Sequence, residues 1–526
     1  MKKNYRFHSV CCAALLFSGC ADDSLRSASL VADRLLVDTA FELCEQPAKS
    51  APFPVVFADD AVSDGGAHVC MVNVPADSVY RMGVNSVDRA EIRVDGRRIV
   101  TVAGCGRAFP REVAYDTYLF NDYVSLKLTR GEHRVDILST GKISFGLVDS
   151  LDLQVRNVSY IVIEHENKAK EFRIPIKKEA AFTKHSYAEW HYANGATMLG
   201  LLALADATGE ERYAEHVRRF CDFTMEHLPL FAAQYERGFL RTQNYRMFRR
   251  GMLDDTTAPA LPFLETAMRY GATDEQCRLL ASMADYAMRE QPRLVDGTFV
   301  RPEPRWTIWC DDLFMSAVFL TRYARFTGED DYLEEAVRQA EAYDRYLRDP
   351  ETGLVFHGWD DTHKRFVGLR WGRANGWFAW AFSEVLSSLS PEHPAYLRLL
   401  AIHRSHLEAL LRYQSPNGMW HQLLDRPDTY EESSATALFV LALARAVRMG
   451  WMERICADRA LLGWQALERH IRPDGIVTGI CRSMAIGYDA VDYAERPTLP
   501  NDPRGLGAIF TAAAEVAALR EWLKIH

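Results

Sequence analysis

The stretch DGTFVRPEPRWTIWCDDLFMSAVFLTRYARFTGEDDYLEEAVRQAEAYDRYL, residues 296–347, contains one complete unit of the pattern that decides the fold. It opens with a glycine turn, continues through an aspartate pair into an apolar segment, turns again at TGEDDY, and ends in a segment whose apolar residues recur at helical spacing. An apolar helix joined by a short turn to an amphipathic helix is typical of a buried inner helix and a half-exposed outer helix. The stretch therefore predicts one helical hairpin.

The same unit recurs from about residue 180 onward. Its glycine turns are centred on Gly238, Gly297, Gly353, Gly418 and Gly475, at spacings of 59, 56, 65 and 57 residues. We expect each glycine to end an outer helix in a left-handed conformation, since glycine adopts positive φ without strain. Residues 179–526 have room for six hairpins at this period. Six hairpins predict an (α/α)6 barrel rather than an open solenoid, which would need polar capping repeats.

A different pattern precedes the barrel. Segments such as AEIRVDGRRIVTVAG and YVSLKLTRGEHRVDIL alternate apolar with polar residues and are broken by turns such as Asp95-Gly96. Alternation with a period of two predicts antiparallel strands and hairpins. We therefore expect a multidomain protein with a β-sandwich accessory domain over residues 20–178 and the barrel over residues 179–526. The length of 526 residues also favours more than one domain.

The N-terminus indicates export. Three basic residues among the first six precede an apolar run over residues 10–17, and a Ser-Gly pair stands directly before Cys20. We expect residues 1–19 to be a lipoprotein signal peptide and Cys20 to carry a lipid anchor, in the periplasm or at the outer membrane and cell surface. Ordinary signal cleavage is the alternative. Removal of the signal changes the net charge from −9 to −12, which argues against a nucleic-acid partner.

Two aspartate pairs stand at matching positions of neighbouring units. Asp254 and Asp255 follow one glycine turn, and Asp311 and Asp312 follow the next, each pair at the start of an apolar helix. Carboxylates from adjacent inner helices can converge at one mouth of the barrel and serve as acid and base. An aspartate at a helix start is also a common N-cap or dipole partner, so each residue taken singly has this structural alternative.

The next unit adds aromatic and polar groups to the same mouth. Trp371 and Trp377 enclose Arg373 and Asn375 in the segment WGRANGW. Indole rings can lie against the apolar faces of sugars, and a guanidinium fork binds carboxylates or hydroxyls. The alternative is that both tryptophans are core anchors and that Arg373 pairs with a structural carboxylate.

Two further residues complete the candidate set. Trp309 lies two residues before the second aspartate pair, and His357 lies in the segment FHGWD, although a single histidine also commonly holds a loop. No H-E-x-x-H motif, Cys/His pairing, G-x-S-x-G elbow or phosphate loop occurs in the barrel segment. We therefore predict neither a metal ion nor a cofactor.

At these residues the chain resembles the unsaturated rhamnogalacturonyl hydrolases of glycoside hydrolase family 105 and, more distantly, the unsaturated glucuronyl hydrolases of family 88. The matching motifs, in chain order, are WHYANG, LDD, W-x-D-D-L-F-M, FHGWD, W-x-R-x-N-G-W, ESS-x-T-A and NDPRGLG. Ala374 stands where the family has glycine, and Thr256-Thr257 where it has cysteine-glycine. The second departure leaves the choice between Asp254 and Asp255 open.

The resemblance implies an unsaturated oligosaccharide as substrate. Polysaccharide lyases leave a C4=C5 double bond in the terminal uronic acid, and enzymes of these families protonate C4 and add water at C5. The hemiketal that forms then collapses and releases the sugar, so the separation rule for two glycosidase carboxylates does not apply.

Carried over by motif position, Asp311 would be the proton donor that also activates water, and Asp255 would assist. A donor must hold its proton near neutral pH, so we expect burial beside Trp309 and Phe314 and repulsion from Asp255 to raise the pKa of Asp311. Arg373 would bind the substrate carboxylate or a nearby hydroxyl. The other candidates for the sugar pocket are Trp371, Trp377, His357, Asn375, Asp312, Asp254 and Trp309.

Other functions remain open on this evidence. A polysaccharide lyase also joins a helical toroid to β-sandwich material, but it would use a tyrosine or histidine base and would create the double bond. A barrel that had lost its activity would be a surface glycan-binding protein, which the presence of both aspartate pairs disfavours. An epimerase would need a pair of histidines at the mouth, where His357 and His421 are the candidates.

Overall fold

A computed structural model shows a helical barrel accompanied by two antiparallel β-sheets. The structure describes residues 22–41, 43, 56–57, 67–74, 77–86, 88–102, 122–139, 143–149, 159–163, 169–173, 186–236, 244–301, 306–487 and 490–526. The predicted signal peptide and Cys20 lie outside the described residues. Among the described residues, no helix combines the length and the apolar composition that crossing a bilayer requires.

The helices alternate between an inner and an outer ring. In chain order they are α1 (Asp23–Asp38), α2 (Tyr192–Thr208), α3 (Glu211–Glu226), α4 (Leu228–Glu236), α5 (Arg246–Arg249), α6 (Thr257–Tyr270), α7 (Asp274–Asp285), α8 (Asp311–Thr327), α9 (Asp330–Leu347), α10 (Gly372–Ser388), α11 (Tyr396–Arg412), α12 (Ser433–Arg448), α13 (Cys456–Glu468), α14 (Ala490–Ala494) and α15 (Pro503–Ile525). Short 3-10 turns cover Ser186–Ala188 and Leu253–Asp255, and a π-helical turn covers Tyr286–Glu290.

Helices α2, α6, α8, α10, α12 and α15 form a closed inner ring, in which each packs against the next and α15 returns to α2. Nearly all residues of these helices are buried, as in α10, because they are covered both by the ring and by the outer helices. The outer helices α3, α7, α9, α11 and α13 each pack against the inner helix that precedes them, and only their inward faces are buried. The expected α/α barrel is confirmed.

The sixth outer position is filled by α1 from the N-terminus. Ala28, Val31, Ala32 and Leu35 of this helix are buried against α15, and α1 also contacts α2 and α13. The expectation that residues 179–526 contain all six hairpins is therefore wrong, because the last inner helix is paired with a helix that precedes the β-rich segment. Residues 23–38, which we assigned to the accessory domain, are part of the barrel.

The β-rich segment follows α1. Its strands are β1 (Val56–Phe57), β2 (Ala67–Val74), β3 (Ser78–Ser86), β4 (Ala90–Val94), β5 (Arg97–Val102), β6 (Asp122–Leu128), β7 (Gly131–Leu138), β8 (Ile143–Asp149), β9 (Ser159–Ile163) and β10 (Ala169–Arg173). One sheet has the order β2-β7-β4-β5, and the other has the order β10-β9-β8-β3-β6 with β1 beside β8. All pairings are antiparallel, and Asp95-Gly96 forms the predicted turn between β4 and β5, with φ of 52° and 75°.

The glycine turns lie at one mouth of the barrel. Gly297, Gly353, Gly418 and Gly475 have φ of 88°, 74°, 102° and 78°, as predicted. They do not cap the outer helices directly: α9, for example, ends at Leu347, six residues before Gly353. Short strands at this mouth, β11 (Thr307–Trp309), β12 (Gly358–Asp360) and β13 (Arg365–Val367), form a three-stranded sheet. A further strand pair joins β14 (Ile480–Cys481) to β15 (Thr498–Leu499).

Deeper in the barrel, charged side chains of five inner helices form a chain of ion pairs. Arg322 binds Glu265 and Glu384 at 2.8 Å each, and Arg445 binds Glu384 and Glu515 at 2.7 Å each. Arg322 lies eleven residues after Asp311 on α8, so the chain is roughly 16 Å below the mouth at 1.5 Å per residue. Each carboxylate of this chain is therefore paired with at least one guanidinium group.

Candidate active site

The two aspartate pairs lie at the barrel mouth, and each pair has one accessible and one buried member. Asp254 and Asp311 expose 20% and 15% of their side chains, whereas Asp255 and Asp312 expose 1% each. The reason is local: consecutive residues at a helix start point in different directions, so one carboxylate faces the cavity and the other faces protein. The accessible members are the ones that a substrate can touch.

Asp255 is held from behind by arginines. Its Oδ2 accepts from Arg249 Nε at 2.6 Å, Arg246 lies 3.7 Å from its Oδ1, and its backbone carbonyl accepts from the Trp190 indole at 2.6 Å. Burial raises the pKa of Asp255 even though Arg249 and Arg246 favour its ionised form. The contacts of Asp255 therefore do not include Asp311, and the structure favours Asp254 as the LDD carboxylate of the cavity.

Arg301 connects the two aspartate pairs. Its Nη2 donates to Asp254 Oδ1 at 2.6 Å, its Nε donates to Asp312 Oδ2 at 2.7 Å, and its Nη2 also pairs with Asp312 Oδ1. The guanidinium lies over the Trp309 ring, 4.3 Å from the centroid. Burial opposes its charge, but Asp254 and Asp312 raise the pKa of Arg301 well above its ordinary value, so it stays ionised. Arg301 thus forms ion pairs with two carboxylates, those of Asp254 and Asp312, and Asp311 lies close by.

The pKa of Asp312 is shifted in the opposite direction from that of Asp311. Burial raises the pKa of Asp312 to about 7, against the pull of Arg301, and the neighbouring charges of Asp254 and Asp311 raise it further. Because a single guanidinium cannot neutralise all these carboxylates, the cluster tends to hold a proton near neutral pH.

Asp311 is the first residue of α8 and faces His357. Its Oδ2 lies 3.3 Å from His357 Nε2, and neither atom has another hydrogen-bond partner among the described residues. Burial raises the pKa of Asp311, but the contact with His357 and the charges of Arg301 and Arg373 together lower it below the ordinary value. The expectation of a raised pKa is therefore wrong, because the surrounding cations outweigh burial.

Tyr493 contacts the ring nitrogen of His357 that faces away from Asp311. The Tyr493 hydroxyl lies 2.7 Å from His357 Nδ1 and accepts from the backbone N–H of Gly487 at 3.4 Å. We assign the hydroxyl proton to the bond with Nδ1, which places the proton of the His357 ring on Nε2, facing Asp311. A β-carbon at Gly368, which has φ of 76°, would lie 2.7 Å from His357 and 2.8 Å from the Tyr493 hydroxyl, so glycine permits this approach.

Arg373 is buried, and its guanidinium group is hydrogen-bonded to other groups of the protein. Its Nη1 donates to the carbonyl of Cys481 and to Ser434 Oγ at 3.2 Å, and its Nη2 donates to the carbonyl of Arg482 at 3.0 Å. These bonds fasten the β14 segment to α10 and α12. These contacts do not favour the expected role of Arg373 in binding a substrate carboxylate. The charge of Arg373 nevertheless contributes to lowering the pKa of Asp311.

Both tryptophans that flank the WGRANGW segment are buried, each 1% exposed, and they differ in their neighbours. Trp371 lies beside His357, with ring centroids 4.7 Å apart, and its indole donates to Gln422 at 3.0 Å. Trp377 is 1% exposed and packs against Phe314 and Trp380. It is a core residue, as the structural alternative stated.

Asn375 is also fully committed to the protein. Its Oδ1 accepts from the Val355 N–H, and its Nδ2 donates to the carbonyls of Val355 and Trp371, all at 2.9 Å. The expected contact between Asn375 and a sugar is therefore not favoured, because the amide oxygen and nitrogen of Asn375 already form these hydrogen bonds. Asn375 instead holds the chain before His357.

Three functional side chains were missed by the sequence reasoning. Arg301 lies within the repeated unit, four residues after Gly297, but belongs to none of the motifs singled out there, and Tyr493 follows the last glycine turn without a recurring spacing to mark it. Tyr192 lies in WHYANG, which we quoted only as a motif. Burial raises the pKa of Tyr192, and its charged neighbours are Arg504, Arg373, Asp254 and Asp311. Tyr192 is therefore within electrostatic range of both accessible carboxylates.

Comparisons with known proteins show which family the chain resembles. A family model described as Glycosyl Hydrolase Family 88 matches residues 164–520. The unsaturated rhamnogalacturonyl hydrolase YesR of Bacillus subtilis is 28% identical over 345 residues, which cover 64% of this chain and 91% of that protein. The unsaturated 3S-rhamnoglycuronyl hydrolase of Formosa agariphila is 27% identical over 226 residues, 40% of this chain and 58% of that protein.

A solved structure supports the same relationship. A possible member of the GH105 family from Salmonella enterica is 27% identical and superposes with a TM-score of 0.54, covering 64% of this chain and 84% of the other. The family match spans more than half of the chain and includes every aspartate, arginine and histidine of the mouth described above. The chain therefore belongs to Glycosyl Hydrolase Family 88 and is a glycoside hydrolase.

Proposed function

We propose that the enzyme removes a Δ4,5-unsaturated uronic acid from the non-reducing end of oligosaccharides that polysaccharide lyases have produced. The observation that carries the proposal is Asp311, an accessible carboxylate whose Oδ2 lies 3.3 Å from His357 Nε2, the ring nitrogen to which we assign a proton. The names of the relatives, unsaturated rhamnogalacturonyl and 3S-rhamnoglycuronyl hydrolases, support this substrate class. The surrounding guanidinium groups of Arg301, Arg373 and Arg504 would attract an anionic sugar.

The reaction needs a proton at C4 and a hydroxyl at C5. In our proposal, protonated Asp311 donates its proton to C4 of the vinyl ether, and the positive charge develops at C5. Water then adds at C5 and returns a proton to Asp311, so the acid is restored. The hemiketal at C5 opens, the bond to the departing sugar breaks, and that sugar leaves as a free alcohol.

Asp311 must gain its proton when substrate binds. His357 and the arginines lower its pKa against the effect of burial. A bound uronate adds a negative charge and displaces water, and both effects raise the pKa of a neighbouring carboxyl. Because Oδ2 faces His357, the other oxygen of Asp311 is the one that can reach C4. We assign Asp254 as the second carboxylate, in place of Asp255, because Asp254 faces the cavity beside Arg301.

The test follows the absorbance of the unsaturated uronate. Oligosaccharides from lyase digests of pectin, glucuronate polymers and sulfated glycans are incubated with the enzyme, and ultraviolet absorbance is recorded. Loss of absorbance with release of a free sugar supports the proposal. A rise in absorbance with undigested polymer would instead identify a lyase, and binding without any change would identify a glycan-binding protein.

We also propose that the two N-terminal sheets form a β-sandwich and that Cys20 anchors an exported protein to a membrane. Contacts of β2 with β9 and β10 support packing of one sheet on the other. The sequence around Cys20 supports lipidation. Mass spectrometry of the mature N-terminal peptide, with a Cys20→Ser variant as control, tests the anchor.

A further inference from the structure

We propose that the end of the barrel opposite the mouth lies against a lipid bilayer, so that the mouth opens away from the membrane. This end, called the base below, is where the inner helices end and the outer helices begin. The inference deepens the lipid anchor proposed for Cys20 and rests on it, because the lipid would be joined to the chain just before α1.

The start of α1 is fixed to the base. Asp22, the N-cap of α1, lies two residues after Cys20, and two residues span at most about 7 Å. The Asp22 carboxylate accepts from Arg520 Nη1 at 2.6 Å. Helix α15 begins at the mouth, where Arg504 in its first turn interacts with Tyr192. Arg520 follows Arg504 by sixteen residues, so it lies about 24 Å further along the helix, at the base.

The rest of α1 makes this attachment rigid. The face of the helix that packs on the barrel is fully buried and consists of Leu25, Ala28, Val31, Ala32 and Leu35. A lipid at the end of a flexible linker would let the barrel turn freely. Here the chain passes from the anchor position directly into a packed helix, so the orientation of the barrel follows from the position of its anchor.

The base exposes large apolar side chains beside this point. These side chains, the base patch, are Leu397 in the first turn of α11, Met449 after α12, Ile455 before α13 and Ile525 at the end of α15. Hydrogen bonds join the segments that carry them: the Trp451 indole donates to the Tyr396 hydroxyl at 3.1 Å, and Arg454 donates to the carbonyl of His526 at 2.8 Å. Single exposed apolar residues are ordinary, whereas several beside a lipid attachment point suit a bilayer.

Apolar contact rather than charge is the expected mode of binding. The exposed cations of the first turn of α1 and the last turn of α15 are paired, Arg26 with Asp23 at 3.4 Å and Lys524 with Glu521. A few apolar side chains bind a bilayer weakly by themselves. An anchor that starts within about 7 Å of the base keeps them at the lipid surface, which raises their effective concentration there.

Collision measurements on nitroxide-labelled protein test the inference. Lipidated Ile525→Cys and Val295→Cys are labelled and placed on vesicles of phosphatidylethanolamine and phosphatidylglycerol; Val295 is an exposed residue two positions before Gly297 at the mouth. Each is compared with the same label in the soluble Cys20→Ser chain, after subtraction of the signal of labelled protein without the new cysteine. Collisions of the Ile525→Cys label with a water-soluble nickel chelate should fall about fivefold on vesicles, because the membrane interface excludes the chelate. The Val295→Cys label should be unchanged.

A second pair of variants tests the base patch itself. Leu397→Glu with Ile455→Glu should restore the collisions of the Ile525→Cys label, because charged side chains resist burial in lipid, whereas Val295→Glu should not. All three positions are exposed, and thermal unfolding checks that the variants fold. Turnover of unsaturated oligosaccharides should stay at the wild-type rate, which reports on the proposed reaction separately.

Three results would overturn the inference. They are protection of both labels alike, protection that survives the glutamate pair, and protection in a soluble chain that sediments as a dimer, which would show that a second copy covers the patch. Mass spectrometry of the N-terminal peptide separates this inference from the anchor. Lipid on Cys20 with an unprotected Ile525→Cys label would overturn the inference alone, and Cys20 without lipid would remove both.

Discussion

The mouth and the depth of the barrel both bury carboxylates, but they compensate them differently. In the deep chain, Glu384 receives Arg322, Arg445 and the Trp380 indole at 2.7 to 2.9 Å, and its pKa is lowered, so it stays ionised. At the mouth, Arg301 is divided between Asp254 and Asp312, and Asp311 contacts His357 but forms no ion pair with an arginine among the described residues. Full pairing fixes a charge permanently, whereas incomplete pairing leaves a group that can exchange a proton.

This comparison predicts that substitutions at the two depths affect different measurements. The mouth should control turnover with little effect on unfolding, and the deep chain should control unfolding with little effect on turnover. Each prediction below tests one side of that separation.

Asp311→Asn should have the largest effect. Asparagine keeps the size of the side chain but cannot donate the proton, and general acid catalysis contributes about 100- to 10,000-fold. We expect kcat, measured as loss of absorbance of the unsaturated uronate, to fall by that range or more, while the free energy of unfolding stays close to wild type. Retained turnover would transfer the acid role to another carboxylate, of which Asp254 is the accessible one.

Glu384→Gln should show the opposite behaviour. The change leaves Arg322 and Arg445 without their shared carboxylate in a buried position, and breaking such a pair costs about 3 kcal/mol. Because the pKa of Glu384 is lowered by folding, its stabilising contribution is present above the ordinary glutamate pKa and is lost as pH falls through the folded value.

Denaturant unfolding at pH 7 should therefore separate Glu384→Gln from wild type, and the difference should shrink in acid. kcat at a temperature where both are folded should be equal. A large loss of kcat without loss of stability would show that the deep chain is coupled to the chemistry and would remove the distinction drawn here.

The features that repeat along the chain could be predicted from the sequence. Apolar and amphipathic helices at a period of about sixty residues gave the barrel, and the aspartate pairs marked its mouth, because both signals are local. The position of α1 was not predictable in this way, since an amphipathic helix at residues 23–38 does not reveal that it packs against a helix starting at Pro503.

Which carboxylate of each pair is accessible also depends on distant residues. Asp254 and Asp255 are adjacent in sequence, and it is Arg249 and Arg301 that separate their roles. Trp377 shows the same limit: its type suits a sugar platform, but it lies within an inner helix that is buried on every side. The proton arrangement at His357 depends on Tyr493, from a segment with no counterpart in the other units.

Asp312→Asn should change how stability depends on pH. Burial raises the pKa of Asp312 to about 7 in the folded protein, compared with about 3.9 in an unfolded chain. The folded state therefore binds more protons between these values, and this group favours folding less as pH rises from 4 to 7. The stability of Asp312→Asn relative to wild type should consequently improve over that interval, measured by denaturant unfolding at pH 5 and pH 7. A relative stability that is constant with pH would mean that Arg301 keeps Asp312 ionised throughout.

Tyr493→Phe should have the smallest effect and gives the most direct test of the mouth. It removes one hydroxyl, so stability should fall by only about 1 kcal/mol. The same fall is expected in Tyr213→Phe, a buried control whose hydroxyl binds Asp33 on the outer wall.

The two variants should differ in the pKa of Asp311. Without the Tyr493 proton at Nδ1, His357 can turn its lone pair toward Asp311, and the contact that lowers the pKa of Asp311 is weakened. The pKa of Asp311 in the free enzyme, read from the pH profile of kcat/KM, should rise in Tyr493→Phe and not in Tyr213→Phe. Identical profiles for the two variants would mean that Tyr493 has only a packing role. The pKa of Asp311 would then not depend on the positions assigned to the protons of Tyr493 and His357.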